Sequence, residues 1–548
     1  MRLLIAGLVF TVCFSATLIA EDVRNVAEWK RRSADYPFGI ELRLVAEDVD
    51  DDDYLRVLAT MIPTDLAAEW HRVASPDNYI TFVEMHGGKS KVDADPNLKA
   101  AEAVRREIAD RFLERQRQAY SNRKVQPPFD DAAVEELCRQ ADQKETAASE
   151  TQAPTIRVLM PAAGAERQWP QFRGPTGMGV AQSAEFPRQW SGTEHVIWKT
   201  PLPGSGNSSP ILWDDAVYVT VASKEGERRA IVCFDRQDGQ VRWEAAAPAP
   251  ADAEALYWKN SFASSTPITD GERVIAFFGN SGLLAVDRAG NPLWQRDLGK
   301  FTIVHGPGSA PVLYQDLVIL IQDQTGSESV FVAVDKRTGE IAWRQKRERS
   351  PCWSTPMLVR AGDRDELLFN GSNTVISYNP LTGEELWRVA GSSGESVPNL
   401  VIGGGWIFSA SGRNGPYLAI RPGGQGDVTA SHVVWKTKQG GAHVPSPVYY
   451  DGHLFAMNDV GIAACLDAKT GKTVWQQRLA GRFTASPVLA GDTLIATNED
   501  GKTYLVRAAN KFELLGENDL AETVYASPAL VDGRLYFRTA ENMICIGE

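Results

Sequence analysis

An all-β eight-bladed propeller of four-stranded antiparallel blades, ring closed by the N-terminal strand and preceded by a small all-α domain, is the fold class this sequence predicts. Three observations predict it. First, one phrase recurs between residues 198 and 546: a Pro-headed apolar run, a polar turn, a second apolar run, then a stretch of the form LxAxDxxTGxxxW. Its heads are Pro210, Pro267, Pro311, Pro356, Pro398, Pro447, Pro487 and Pro528, a period of roughly 40 to 50 residues that suits propeller blades or solenoids. Second, Trp recurs late in each copy, at Trp198, Trp243, Trp294, Trp343, Trp387, Trp435 and Trp475, with Leu515 as the one substitute. Third, HVIWKT at 195–200 precedes the first Pro-headed strand, whereas the last copy stops at Cys545-Ile546 without a Trp strand. A strand from the N-terminal end therefore completes the last blade and leaves no free sheet edge.

The sixth copy, VPSPVYYDGHLFAMNDVGIAACLDAKTGKTVWQQ, explains the unit. Pro447 opens a strand, where its missing N–H matters least. Asp451-Gly452 is a tight hairpin signal, His453 to Met457 the second strand and Gly461 to Leu466 the third. Asp467 starts a turn closed by Thr470-Gly471, because an Asp side chain accepts from backbone N–H groups further on and Gly supplies positive φ. Val474 and Trp475 lie on the fourth strand, and the flat Trp suits the wedge between blades. The turn Asp persists as Asp235, Asp287 and Asp335, becomes Asn379, and is Arg421 and Arg507 elsewhere; these residues read as scaffold.

The chain begins with an apolar run, Leu3 to Ala20, behind Arg2 and ahead of Glu21 and Asp22, which reads as a secretory signal over residues 1–20. Cleavage after Ala20 fits, with Leu18 a mediocre residue at its position; left uncleaved, residues 3–20 are just long enough to tether the chain to a bilayer. Residues 21–145 carry helical patterning. Leu98, Ala101, Val104, Ile108 and Phe112 share one face of a long helix, and shorter helices are expected at 53–61, 65–73, 78–85 and 130–143. The acidic run Glu47 to Asp53 lacks EF-hand spacing and reads as a solvated helix start. Residues 146–168 form a linker, and 169–548 the propeller.

A net charge of −13 without a basic face argues against nucleic acid as a partner. After signal cleavage five cysteines remain, Cys138, Cys233, Cys352, Cys465 and Cys545, too sparse for a disulfide framework. Cys233, Cys465 and Cys545 fall at equivalent third-strand positions, where Cys acts as a small apolar residue. No CxxCH or CxxC occurs, nor any GxSxG, HExxH or P-loop sequence. The Gly-rich segments 279–282 and 391–394 lie in blade loops and do not open a helix, which argues against phosphate cradling.

With its repeated AxDxxTGxxxW phrase, the chain resembles the pyrroloquinoline-quinone (PQQ) repeat superfamily of eight-bladed propellers over about residues 169–548. The opening WPQFRGP, Trp169 to Pro175, is similar to that of exported bacterial PQQ-like repeat proteins. The superfamily includes quinoprotein alcohol dehydrogenases and the BamB-type lipoprotein of the outer-membrane barrel-assembly machinery. For an enzyme, the resemblance implies a vicinal disulfide of adjacent cysteines, a calcium held by Glu and Asn or Asp, a carboxylate base and a Trp under the quinone. This sequence has no adjacent cysteines, and none of its carboxylates matches the calcium site residue by residue.

In an up-and-down blade, loops entering the first strand and loops between the second and third strands emerge on one face. Asn207, His305, Trp353, Glu395 and His443 fall in the former; Arg413, Asn414, Asn458, Asp459, Glu499 and Asp500 in the latter. Loops on a rigid scaffold concentrate binding residues, so these eleven are the candidate funnel-face set. His305, Glu395 and His443 have the chemistry for a metal or for acid–base work, although loops are polar in any case. Trp353 is the favoured stacking or anchor residue, unless it plugs the funnel.

The leading expectation is an exported, periplasmic or extracellular scaffold without catalysis, binding an envelope protein or peptide and needing no cofactor. The first alternative is a quinoprotein dehydrogenase of alcohols or sugars, using PQQ with calcium. The second is a carbohydrate-processing accessory, suggested by Trp353, Trp406 and Tyr417 as stacking faces.

Overall fold

The computed structural model describes residues 41–47, 54–60 and 155–548, apart from 301, 303–304, 325–328, 348–349 and 439. The chain divides into two compact units, residues 1–151 and 152–548. In the first, Glu41–Glu47 and Tyr54–Thr60 form an antiparallel pair of strands. This corrects the helix expected at 53–61. The register sets Leu42 opposite Ala59, Leu44 opposite Val57 and Ala46 opposite Leu55. Apolar residues recurring at every second position are the strand signature, and it outweighs the helical reading of YLRVLAT. The signal segment, the other expected helices, Cys138 and most of the acidic run lie outside the described residues.

The second unit contains eight four-stranded antiparallel blades. Blade 1 runs Ile211–Trp213, Ala216–Ala222, Arg229–Asp235 and Val241–Ala247. Blades 2 to 8 begin at Ile268, Val312, Met357, Val401, Val448, Val488 and Ala529. Ring closure is as the chain ends predict: Val196–Pro201 pairs with Asn542–Ile546, and Trp198 stands opposite Cys545. The inner strand of blade 1 is wholly buried, while its outer strand alternates towards solvent, so apolar area is removed between blades.

The repeated phrase is a device for locking neighbouring blades. The Trp198 indole donates to Arg236 O at 3.0 Å, Trp243 to Arg288 O at 2.9 Å, Trp294 to Lys336 O at 2.9 Å and Trp435 to Ala468 O at 2.9 Å, each in the next blade's turn. The turn Gly lies on the ring: a Cβ on Gly239 would be 2.5 Å from Trp198, and one on Gly471 2.6 Å from Trp435. Only a residue without a side chain, at φ near 70°, permits that approach. Trp387 departs from the pattern, donating instead to buried Glu366 at 2.7 Å, because Gly426–Asp427 adds a parallel strand beside it.

Two sequence assignments shift. Asn399 accepts from Thr355 N and donates its own N–H to Ser446 Oγ, so it occupies the position that precedes Pro447 in blade 6. Leu400, not Pro398, therefore stands at the head of blade 5. In blade 7 the bulge sets Leu505 opposite Gly516, so Gly516, not Leu515, takes the Trp position; the turn there is one residue longer. Cys233 and Cys465 face Trp243 and Trp475, which explains their small size, and all four described cysteines are buried and free.

Residues 155–191, expected in part as linker, cross the inner strands. Val158 pairs with Val359 of blade 4, Trp169 bridges Leu212 of blade 1, Pro170 O accepts from Thr269 N of blade 2, and Val180 pairs with Leu489 of blade 7. These contacts fall towards the far ends of the first strands, so the segment closes the channel opposite the funnel.

Candidate functional site

The funnel face is dominated by a loop that the repeat does not encode. Residues 248–263, between blades 1 and 2, are anchored by Glu254, which receives Arg229 at both oxygens, 2.9 Å each. Both side chains are fully buried, and the guanidinium lies 4.5 Å from the Phe262 ring centroid. Such a pair holds geometry strongly, since losing either partner strands a buried charge. From this anchor the loop reaches blade 7, where Lys259 Nζ meets Glu499 at 2.7 and 3.0 Å. Thr484 Oγ1 donates to the same carboxylate at 2.7 Å, and Asn207 Nδ2 donates to Lys259 O at 2.8 Å. The loop thus bridges non-adjacent blades across the funnel mouth.

Beside that bridge lies an aromatic series. Trp258 is 74% exposed and Tyr257 46%. Tyr257 meets His305 edge-on at 5.5 Å, and His305 stacks on Trp353 at 5.4 Å and 28°. Trp353 is buried, with its indole N–H on Gly306 O at 2.8 Å. Its ring is therefore packed against neighbours rather than free. Tyr417 is likewise buried, and Trp406 packs within the cluster of blades 5 and 6. Of the three aromatics that suggested carbohydrate, Trp353 and Tyr417 are thus enclosed and Trp406 is half-buried.

On the opposite side Glu395 forms an ion pair with Arg413. Glu395, Arg413 and Asn414 all have left-handed backbones, at φ 57°, 55° and 61°. For residues with a Cβ this conformation is strained, and such residues gather at functional sites. Asp459 accepts His443 N at 2.6 Å and Val444 N at 3.1 Å. Burial holds the His443 ring below its usual pKa, with Asp459 opposing and Arg413 reinforcing the shift. Glu395 and His305 also bear on that ring, so the structure brings His305, Glu395, Arg413, His443 and Asp459 into one neighbourhood. Asn458 accepts Ile462 N at 2.8 Å within its own turn, and Asn414 accepts Gly440 N at 3.1 Å, which ties its loop to the one that follows blade 5. Asp500 lies exposed at a turn tip.

Each carboxylate of this neighbourhood is thus already bonded: Glu395 to Arg413, Asp459 to two amides, Glu499 to Lys259 and Thr484. Among the described residues no three His, Cys, Asp or Glu side chains converge as a metal site. One face of Trp353 carries His305. What sequence reasoning missed was the cap, Tyr257, Trp258 and Lys259. Its signal was present: Pro210 to Pro267 is the longest interval between heads, and the excess carries an aromatic pair.

Fold and repeat chemistry together define an eight-bladed propeller of the PQQ-like class. The sequence model of the family described as outer membrane protein assembly factor BamB matches residues 189–326, 302–415 and 371–514. The chain belongs to that family. BamB of Yersinia pestis is 23% identical over 333 residues, 57% of this chain and 77% of that protein. A tetrathionate hydrolase of Acidithiobacillus ferrooxidans is 23% identical over 238 residues, 39% of this chain and 43% of that enzyme. Among solved structures, the quinohemoprotein alcohol dehydrogenase of Comamonas testosteroni superposes with a TM-score of 0.52 at 14% identity, covering 74% of this chain and 83% of that one. This likeness is one of fold.

Proposed function

We propose that this chain is an exported, non-catalytic scaffold that binds an envelope protein or peptide through its funnel face. The observation that carries the reading is the pairing of exposed Tyr257 and Trp258 with a rigid anchor, the buried Arg229–Glu254 pair. Aromatic side chains on fixed backbone lose little entropy on binding and dominate protein interfaces. The pairing of Glu395 with Arg413, of Asp459 with two backbone amides and of Glu499 with Lys259 and Thr484 supports the same reading, because these carboxylates are engaged within the protein. Membership of the assembly-factor family agrees with an envelope protein as partner. A quinone-dependent dehydrogenase has the shared propeller in its favour and the funnel chemistry against it.

The test is a photo-crosslinking residue placed at position 258 and, as a control, at Leu381, which is exposed in a turn on the opposite face. The reading expects a discrete envelope-protein adduct from 258 and none from 381. Equal labelling from both positions, or none from 258, would contradict it.

A further inference from the structure

The carboxylate that the cap reaches is set out for an ammonium group, and the chain fills the place with its own. Lys259 Nζ meets Glu499 Oε2 at 2.7 Å and Oε1 at 3.0 Å, and lies 5.3 Å from the Trp258 ring centroid and 5.9 Å from that of Tyr525. An ammonium is a compact charge with three donors, and a carboxylate flanked by aromatic faces is the surrounding that recognises it. The group is open to the funnel: the Glu499 side chain is 14% exposed, that of Lys259 22%, and Trp258 stands in solvent. Unlike the enclosed Arg229–Glu254 pair, this pair is within reach of a partner's side chain.

Neither wall of this place depends on the Lys259 ammonium. On the cap, Asn207 Nδ2 donates to Lys259 O at 2.8 Å, and Asn260 Nδ2 donates to His305 O at 2.6 Å and to Pro307 O at 3.1 Å. On blade 7, Thr484 Oγ1 donates to Glu499 Oε1 at 2.7 Å, Glu499 N donates to Arg482 O at 2.7 Å, and Glu499 O accepts from Val524 N at 3.0 Å. Backbone and carboxylate therefore keep their positions when the Lys259 side chain swings away. Exchanging one ammonium for another leaves Glu499 neutralised at the end, so the swap avoids stranding a partly buried charge. Tethered beside the carboxylate, Lys259 acts as a competitor at high effective concentration.

Resting on the scaffold reading, we propose that Glu499, Thr484, Trp258 and Tyr525 form a lysine-recognition site for the partner, and that Lys259 occupies it in the free protein until a lysine side chain of the partner displaces it. The test places the photo-crosslinking residue at position 500, exposed beside Glu499, and leaves the four site residues in place. Initial adduct yield is compared in the wild-type background, in Lys259→Met and in Glu499→Gln. Lys259→Met removes the competitor and should raise the yield by about tenfold. Glu499→Gln removes the accepting charge and should lower it. A bridge that only braces the cap is broken by both substitutions alike, so a change in the same direction, or none, overturns the proposal. An adduct from 258 with none from 500 also overturns it while the scaffold reading stands; no adduct from either position sinks both. Independently of any partner, methylammonium replacing sodium at constant ionic strength should raise the Tm of Lys259→Met saturably, and not that of Lys259→Met with Glu499→Gln. An equal response in the two proteins overturns the site. Should Met at 259 prevent folding, Lys259→Gln takes its place in both experiments.

Discussion

Leu505 stands opposite Gly516 in blade 7, where blade 6 sets Cys465 opposite Trp475. The large residue has moved across the ladder: volume lost from the fourth strand returns on the third. A Cβ on Gly516 would meet Leu505 Cδ1 at 3.7 Å and Arg188 O at 3.8 Å, so the site is filled by Leu505 and the closing segment. Leu505→Ala should cost about 2–5 kcal/mol, the range for buried Leu truncation. Gly516→Trp should also destabilise, through overpacking. Together the two should cost less than their sum by about 1–3 kcal/mol in a double-mutant cycle followed by urea unfolding. Simple additivity would show that the two volumes do not compensate.

Around the channel a belt of buried side chains links blade to blade. Ser209 N donates to Thr266 Oγ1 at 3.0 Å, Ala310 N to Thr355 Oγ1 at 3.1 Å, Ser446 N to Ser486 Oγ at 2.9 Å and Ser486 N to Ser527 Oγ at 2.9 Å. Ala310 stands at the same position and has no hydroxyl for Thr266 N. Ala310→Ser should close that gap and stabilise the fold by about 1 kcal/mol, the net worth of a typical hydrogen bond. An unchanged or lower midpoint in urea would contradict this.

The cap depends on Glu254. Glu254→Gln leaves Arg229 buried and charged without its partner, a loss of about 3–5 kcal/mol. Opening should begin at the loop, so limited proteolysis should cut within 248–263 before any blade. First cleavage elsewhere would show that the pair is not the anchor.

Stability should fall as pH drops below the ordinary imidazole range of about 6.5. Burial lowers the folded pKa of His443 and of His432; Arg421 reinforces and Glu366 opposes the shift at His432. Between the lowered folded value and the unfolded one, the unfolded chain binds more protons, so stability rises with pH there. The contribution is complete above about 6.5 and is lost on acidification. His443→Gln should flatten the slope of urea midpoint against pH in this window; an unchanged slope would exclude His443 as its source.

Architecture was legible because it is written eight times. Trp, turn Asp and turn Gly each serve a contact made between every pair of neighbouring blades, so periodicity exposes them even where single copies degrade. Reading failed where the chain leaves its period. Asn399 and Leu400 replace Ser-Pro, and Pro398 two residues earlier misplaced the head of blade 5. A one-residue insertion in the blade 7 turn disguised Gly516 as a bystander. The funnel candidates lie in loops that precede first strands or join second to third strands, but their partners were invisible, because Lys259–Glu499 and Glu395–Arg413 join different loops. Trp353 looked like an anchor only because nothing in the sequence announces His305 on its face.

The central claim is that this funnel binds protein and does no quinone chemistry. Calorimetric titration of the purified chain with PQQ, with and without calcium, tests it most directly. The account predicts no saturable heat under conditions that detect micromolar affinity. Calcium-dependent saturable binding would contradict it, and would require the Lys259–Glu499 bridge to open and His305 to leave the face of Trp353.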